Sequence, residues 1–215
     1  MEKRWNSERA PDPPLDERNG KAYPTVRIGD LVWMAANLDI GTRINGSLNA
    51  SDNQEIEKYC YQNSDVNCEH YGGLYSWDEM MQYNYTESPQ GICPDGWHIP
   101  SYEDWKLLEM ELGMTREQAD APDWRGSDQG GKLKATDLWA SPNEGATNET
   151  GFTALPAGSM DNTGYFSGES LFTDYWASSW EEPNPWYRYL SADRADIYRT
   201  RGNRGYGTSV RCVKD

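Results

Sequence analysis

The sequence predicts a small α+β domain with few short helices, short antiparallel strands and long loops, and three observations carry that expectation. The chain ends in a short apolar strand bearing a cysteine, Thr208-Ser-Val-Arg-Cys-Val-Lys-Asp215, while a second cysteine lies just ahead of a capped helix in Cys93-Pro-Asp-Gly-Trp-His-Ile-Pro-Ser101. The core material is aromatic: ten Trp and fourteen Tyr stand against three Phe in a chain only 36% hydrophobic. Trp and Tyr bury area while keeping a polar handle, which suits a small, irregular core. Beyond residue 122, Gly, Asp, Asn, Pro and Ser dominate, which favours loops over long elements.

A length of 215 residues suits one domain. Residues 1–15 are expected as an extended lead, because Ala10-Pro-Asp-Pro-Pro14 favours polyproline-like backbone, and the domain is expected over 16–215. Tyr23-Pro-Thr-Val-Arg-Ile28 and Leu31-Val-Trp-Met34 read as a hairpin turning at Gly29-Asp30. Residues 41–58 are polar and read as a loop, and Tyr59-Cys-Tyr61 and Tyr71-Gly-Gly-Leu-Tyr75 flank a small cysteine loop. Ser76 caps a short helix over Trp77-Asp-Glu-Met-Met81. The clearest helix starts at Ser101, where Ser101-Tyr-Glu-Asp104 approaches a capping box, and Trp105, Leu108 and Leu112 form one apolar stripe before Gly113. Thr115-Arg-Glu-Gln118 repeats the capping pattern. Farther on, Tyr187-Arg-Tyr-Leu190 and Thr208–Val213 are strand-like.

The formal charge of −15 argues against nucleic acid and against anionic membrane surfaces, both of which demand a basic face. No apolar stretch reaches the length that spans a bilayer. Met1-Glu-Lys-Arg-Trp-Asn does not read as an export signal. An even count of four cysteines in an aliphatic-poor chain nevertheless favours an oxidising compartment, so the expected location is extracellular or the cell surface. Four cysteines allow three pairings; the expected one joins Cys60 to Cys68 and Cys93 to Cys212.

Several blocks together are more specific than any one. They are Asp16-Glu-Arg-Asn-Gly-Lys-Ala-Tyr-Pro-Thr-Val-Arg-Ile-Gly29, Trp33-Met-Ala-Ala-Asn-Leu38, Cys60-Tyr61 and Asn67-Cys-Glu-His-Tyr-Gly-Gly-Leu-Tyr-Ser-Trp77. Cys93-Pro-Asp-Gly-Trp-His-Ile-Pro-Ser101, Gly151-Phe-Thr-Ala-Leu-Pro-Ala-Gly158, Tyr175-Trp-Ala-Ser-Ser179 and Ser209-Val-Arg-Cys-Val-Lys-Asp215 follow in order. The set resembles the Fibrobacter succinogenes major paralogous domain, a family of surface and secreted proteins of Bacteroidetes and their relatives. The resemblance implies a C-type-lectin-like fold, related to the formylglycine-generating-enzyme group. It further implies binding and display rather than a settled enzymatic activity. Lectin-like domains of this kind also serve as variable proteins of diversity-generating retroelements, and the composition of residues 180–206 is compatible with that role.

Within 174–207 the chain concentrates aromatic and arginine residues, the types enriched at binding hot spots. The expected ligand-binding residues are Trp180, Trp186, Tyr187, Arg188, Tyr198, Arg199, Arg201, Asn203 and Tyr206, with Trp176 and Tyr189 assigned to the core. Glu182-Pro-Asn184 matches the tripeptide with which C-type lectins hold calcium and vicinal sugar hydroxyls, which makes Glu182 and Asn184 the candidate ligands for a calcium ion. The expected downstream Trp-Asn-Asp partner is absent. As for catalysis, a formylglycine-generating activity requires a redox cysteine pair that this C-terminal region lacks, and His98 reads as a packing residue. Asp78/Glu79 and Glu103/Asp104 are the carboxylate pairs a glycosidase would need to face across one cleft. The expected function is therefore non-catalytic recognition of an extracellular carbohydrate or protein ligand, alone or as a module of a larger surface assembly.

Overall fold

The computed structural model describes residues 15–86 and 89–215, so the expected lead up to residue 14 lies outside the described residues. Along the chain run β1 (Leu15–Asp16), β2 (Lys21–Ala22), β3 (Thr25–Ile28), β4 (Leu31–Met34), β5 (Thr42–Arg43), β6 (Glu57–Lys58) and a 3-10 turn (Tyr61–Asn63). Next come α1 (Asp65–Tyr71), α2 (Trp77–Met80), β7 (Trp97–His98), α3 (Tyr102–Glu111), α4 (Arg116–Asp120), β8 (Asp123–Arg125) and α5 (Gln129–Leu133). The last elements are β9 (Ala157–Met160), β10 (Phe166–Glu169), β11 (Phe172–Glu181), β12 (Asn184–Ser191), β13 (Ile197–Arg201) and β14 (Val213–Lys214). The architecture is a mixed α/β one with short helices.

The local signals act where the sequence places them. The Ser101 side chain accepts from the Asp104 amide, and the Asp104 carboxylate accepts from the Ser101 amide at 2.7 Å, a complete capping box. Thr115 and Gln118 form the second one, at the head of α4. Ser76 accepts from the Glu79 amide and opens α2. In the first hairpin Ile28 pairs with Leu31 across Gly29-Asp30, and Gly29 has the positive φ of 60° that such a tight reversal requires.

Two larger sheets organise the molecule, beside the two-stranded pairs β1-β2 and β5-β6, the latter within the 41–58 segment expected as a loop. One has four strands in the order β3-β4-β14-β7, and it places the chain's end between the first hairpin and the middle: Val213 pairs with both Trp33 and His98. Disulfide Cys93–Cys212 fastens that crossing, and Cys60–Cys68 closes the small loop around α1. The other sheet has six strands, β10-β9-β11-β12-β13-β8, antiparallel except where β9 meets β11. Here the strands exceed expectation. β11 runs ten residues, in a stretch whose run of Thr, Asp, Ala and Ser hides its strand character, because every residue from Thr173 to Ser178 is buried. A strand covered on both faces shows no polar alternation to read.

The core is aromatic. Trp105 of α3 lies 4.7 Å from Trp33, 5.7 Å from Tyr175 and 6.1 Å from Phe152, measured between ring centroids. A second cluster gathers Trp77, Tyr75, Trp97 and Trp176 around the Cys93–Cys212 bridge. Buried indoles find carbonyls: Trp77 Nε1 donates to Ala177 at 2.8 Å and Trp176 Nε1 to Tyr75 at 3.1 Å. The fully buried Arg211 joins distant segments, donating to the carbonyls of Met34, Phe152 and Thr153 and to Asn37 Oδ1. No helix among the described residues is long and apolar enough to cross a membrane.

Candidate functional site

Strand alternation sorts the expected contact residues onto two faces of the six-stranded sheet. Across β11, β12 and β13, Tyr175, Arg188 and Arg199 share one face, while Trp176, Tyr187 and Thr200 share the other. The first face packs on α3. Arg188 Nε donates to Glu109 Oε1 at 2.8 Å, and Arg125 donates to the same oxygen. Arg199 Nη1 reaches three carbonyls at the end of α4, those of Ala119, Asp120 and Ala121. Arg188 and Arg199 are buried, so two residues expected to touch a ligand instead hold helices to the sheet. Burial lowers the Arg125 guanidinium to about 10, against the pull of Glu109.

Trp186 also turns inward. It packs on the main core, 5.5 Å from the Tyr102 ring, between the guanidinium groups of Arg199 and Arg201 at 4.5 and 5.2 Å. Arg201 itself is exposed and pairs with Glu181 at 2.7 Å. Asn203 is exposed but shapes a turn, its Oδ1 accepting from the Gly205 amide. Tyr187 and Tyr206 are half-buried against the second cluster. Tyr198 is half-buried on the outer face beside Tyr189, which was expected in the core and is instead half-buried in that outer row. Trp176 is buried, as expected.

Glu182 and Asn184 lie at the hairpin between β11 and β12, with Glu182 exposed. The described residues hold no group of three or more His, Cys, Asp or Glu side chains able to hold a metal ion, there or elsewhere. Glu181, the acid next to Glu182, is occupied by Arg201.

Trp180 stands apart from the inward residues. It is 36% exposed, and Tyr85, from the loop after α2, is 45% exposed beside it. Their centroids lie 6.1 Å apart, and both rings pack on the buried Trp77, which stacks on Tyr85 at 5.8 Å with planes 6° apart. The Arg204 guanidinium lies over all three rings, 4.8 Å from Tyr85, 5.1 Å from Trp77 and 5.6 Å from Trp180. Asp78 of α2 fixes it, accepting from Arg204 Nε at 3.0 Å. Burial depresses the Arg204 guanidinium, but the Asp78 carboxylate outweighs that and holds it above its ordinary value. The result is an open aromatic platform around a half-exposed ion pair. Arg204 belongs to the arginine-rich stretch expected to face a ligand, whereas Tyr85, Trp77 and Asp78 were not among the expected contact residues. The available signal was Tyr83-Asn-Tyr85, aromatic residues in a polar loop straight after a capped helix.

The carboxylate pairs considered for catalysis are occupied. Asp78 holds Arg204 and Glu103 holds Arg116. Glu79 is buried, which raises its carboxyl, and accepts from Tyr83 and Gln82. Burial would raise Asp104, but hydrogen bonds from His98 and Ser101 hold it below its ordinary value.

No curated protein and no solved structure matches the chain. A profile of the Fibrobacter succinogenes major domain matches residues 26–214, which takes in the terminal strand, both disulfides and the platform around Trp180. The chain belongs to the Fibrobacter succinogenes major domain family.

Proposed function

We propose that this chain is a non-catalytic recognition domain, on a C-type-lectin-like scaffold, that binds a carbohydrate at the Trp180–Tyr85 platform. The observation that carries the reading is two large exposed rings set around the Arg204–Asp78 pair. Flat aromatic faces stack on the apolar face of a sugar ring, and an adjoining guanidinium and carboxylate offer donors and acceptors to its hydroxyls. Trp, Tyr and Arg are also the residues that concentrate binding energy. Support for the scaffold comes from the terminal strand stapled to the middle of the chain. Two disulfides, with no free cysteine, support action in an oxidising compartment at or beyond the cell surface.

The test is a glycan array probed with the wild-type chain and with Trp180→Ala and Tyr85→Ala. Each substitution is expected to weaken the selected glycan at least about tenfold, the scale of one lost hot-spot contact. Melting temperature should move little, because both rings are partly in solvent. Binding that survives both substitutions, or an array without hits, sinks the carbohydrate reading and leaves a protein ligand as the alternative. Loss of binding in chelator would transfer the contact to Glu182 and Asn184.

A further inference from the structure

The sheet face turned away from α3 carries a second constellation, separate from the Trp180 platform. Asp174 lies directly across from Tyr189, Tyr189 from Tyr198, and Tyr198 from Trp124, in one row over β11, β12, β13 and β8. The rings touch: Trp124 lies 5.1 Å from Tyr198 and 5.7 Å from Tyr189, and Phe172 extends the row 5.1 Å beyond Tyr189. All four rings are half-buried, so the row presents part of its surface to solvent. At its end Asp174 is 8% exposed, and its Oδ1 has no hydrogen-bond partner among the described residues.

That oxygen is itself shielded from solvent, so a cation meets the carboxylate only at its 8% exposed edge. Without one, the buried charge is costly and the group tends to keep a proton. Burial pushes the Asp174 carboxyl up to about 7, and a hydrogen bond with Ser159 of β9 offsets only part of that rise. Its other neighbours are Tyr175 along the strand and Tyr187 and Tyr189 on β12, with Asp193 acting on Tyr189. Arg211 lies against the Tyr175 ring, but no cation acts on the Asp174 carboxyl itself.

The chain itself shows what such surroundings take. Arg204 sits over three rings with Asp78 as counter-charge, and Arg194 lies 4.3 Å from the Trp124 ring at the far end of the row. A guanidinium stacks on aromatic faces and is weakly hydrated, so it gives up water more readily than an ammonium does. A formal charge of −15 draws a basic partner rather than an acidic one.

We propose that this face binds an arginine side chain of a basic partner protein, with the guanidinium on the Tyr189–Tyr198 rings and the Asp174 carboxylate as its counter-charge. Binding then favours the ionised carboxylate, so the affinity rises as the pH passes upward through the Asp174 titration.

The test uses the full chain with Nα-acetyl-arginine methylamide as probe and the citrulline analogue, which has the same shape without the charge, as control. The Asp174 carboxyl carbon is followed by NMR across pH, together with the Trp124 indole signal. The arginine probe is expected to lower the apparent Asp174 pKa by about one unit at saturation, and the citrulline probe to leave it in place. Asp174→Asn mimics the neutral acid and so is expected to fold; it should weaken the arginine probe about tenfold. Tyr198→Leu, which removes a ring from the outer face, should weaken it comparably. Equal shifts with both probes, an unmoved Asp174 titration, or full affinity in Asp174→Asn overturns the proposal. If Asp174→Asn does not fold, full affinity in Tyr198→Leu overturns it.

Discussion

Glu109 gathers two arginines on one oxygen, Arg125 at 2.5 Å and Arg188 at 2.8 Å, with all three side chains buried. Cutting that acceptor leaves two buried guanidinium groups without their shared counter-charge. Glu109→Ala should therefore cost about 3–5 kcal/mol in a denaturant titration, the range for breaking a buried pair from one side. A loss below about 1 kcal/mol would mean that the arginines find other acceptors at no cost. His98 offers a second residue-level test. Its Nδ1 lies 2.7 Å from Asp215 and its Nε2 3.4 Å from Asp104. The Asp104 hydrogen bond, more than Asp215, raises the imidazole above its ordinary value, although burial acts the other way. A raised folded value means that the stabilisation is fully present below the unfolded value near about 6.5 and is lost as pH rises through the folded one. The stability gap between wild type and His98→Gln should accordingly be widest below about pH 6.5 and shrink as the pH rises above it. A gap that is constant or growing would contradict this.

At the scale of elements, the signals that were legible are local ones. Ser101 with Asp104 and Thr115 with Gln118 complete their capping boxes within four residues, so nothing distant is needed to read them. The hairpin at Gly29-Asp30 is legible for the same reason. β11 and β13 were not. In β11 both faces are covered, and in β13 the alternation pairs a buried arginine with a half-buried tyrosine, which no hydrophobic pattern reveals. Arg188 and Arg199 point inward because Glu109 and the end of α4 meet them, and those partners lie 79 and about 80 residues away in sequence. The same logic relocates Trp186. Trp186→Ala should cost stability, about 2–4 kcal/mol by urea titration, since its ring fills space between Tyr102, Arg199 and the core. Ligand affinity should be retained. A neutral effect on stability with lost binding would return Trp186 to the contact surface.

Across the whole molecule, the blocks that carry the family resemblance meet in space. Arg211 of the terminal block bonds to Met34 and Asn37 of the second block and to Phe152 and Thr153 of the Gly151–Gly158 block. Cys212 bridges to Cys93, and Val213 pairs with His98 in the same central block. These segments build the frame, while Tyr85, Trp180 and Arg204 lie outside them. The frame was thus largely legible; of the platform Trp180 was expected, but its partner ring Tyr85 was not, because that ring comes from a distant segment which only the fold brings beside β11. The bridge between Cys93 and Cys212 spans 119 residues. Replacing both cysteines by serine should cost about 4–5 kcal/mol on the chain-entropy account, measured as a shift in the urea midpoint. A much smaller loss would mean that Arg211 and the β14 pairing suffice to hold the terminus.

The most direct test of the recognition surface follows the ten Trp indole N–H signals by NMR while the glycan selected on the array is added. The Trp180 signal is expected to move first and together with the Tyr85 ring, while buried Trp33 and Trp105 stay in place. Movement confined to Trp124, Trp186 or any other indole, with Trp180 unmoved at saturation, would contradict it.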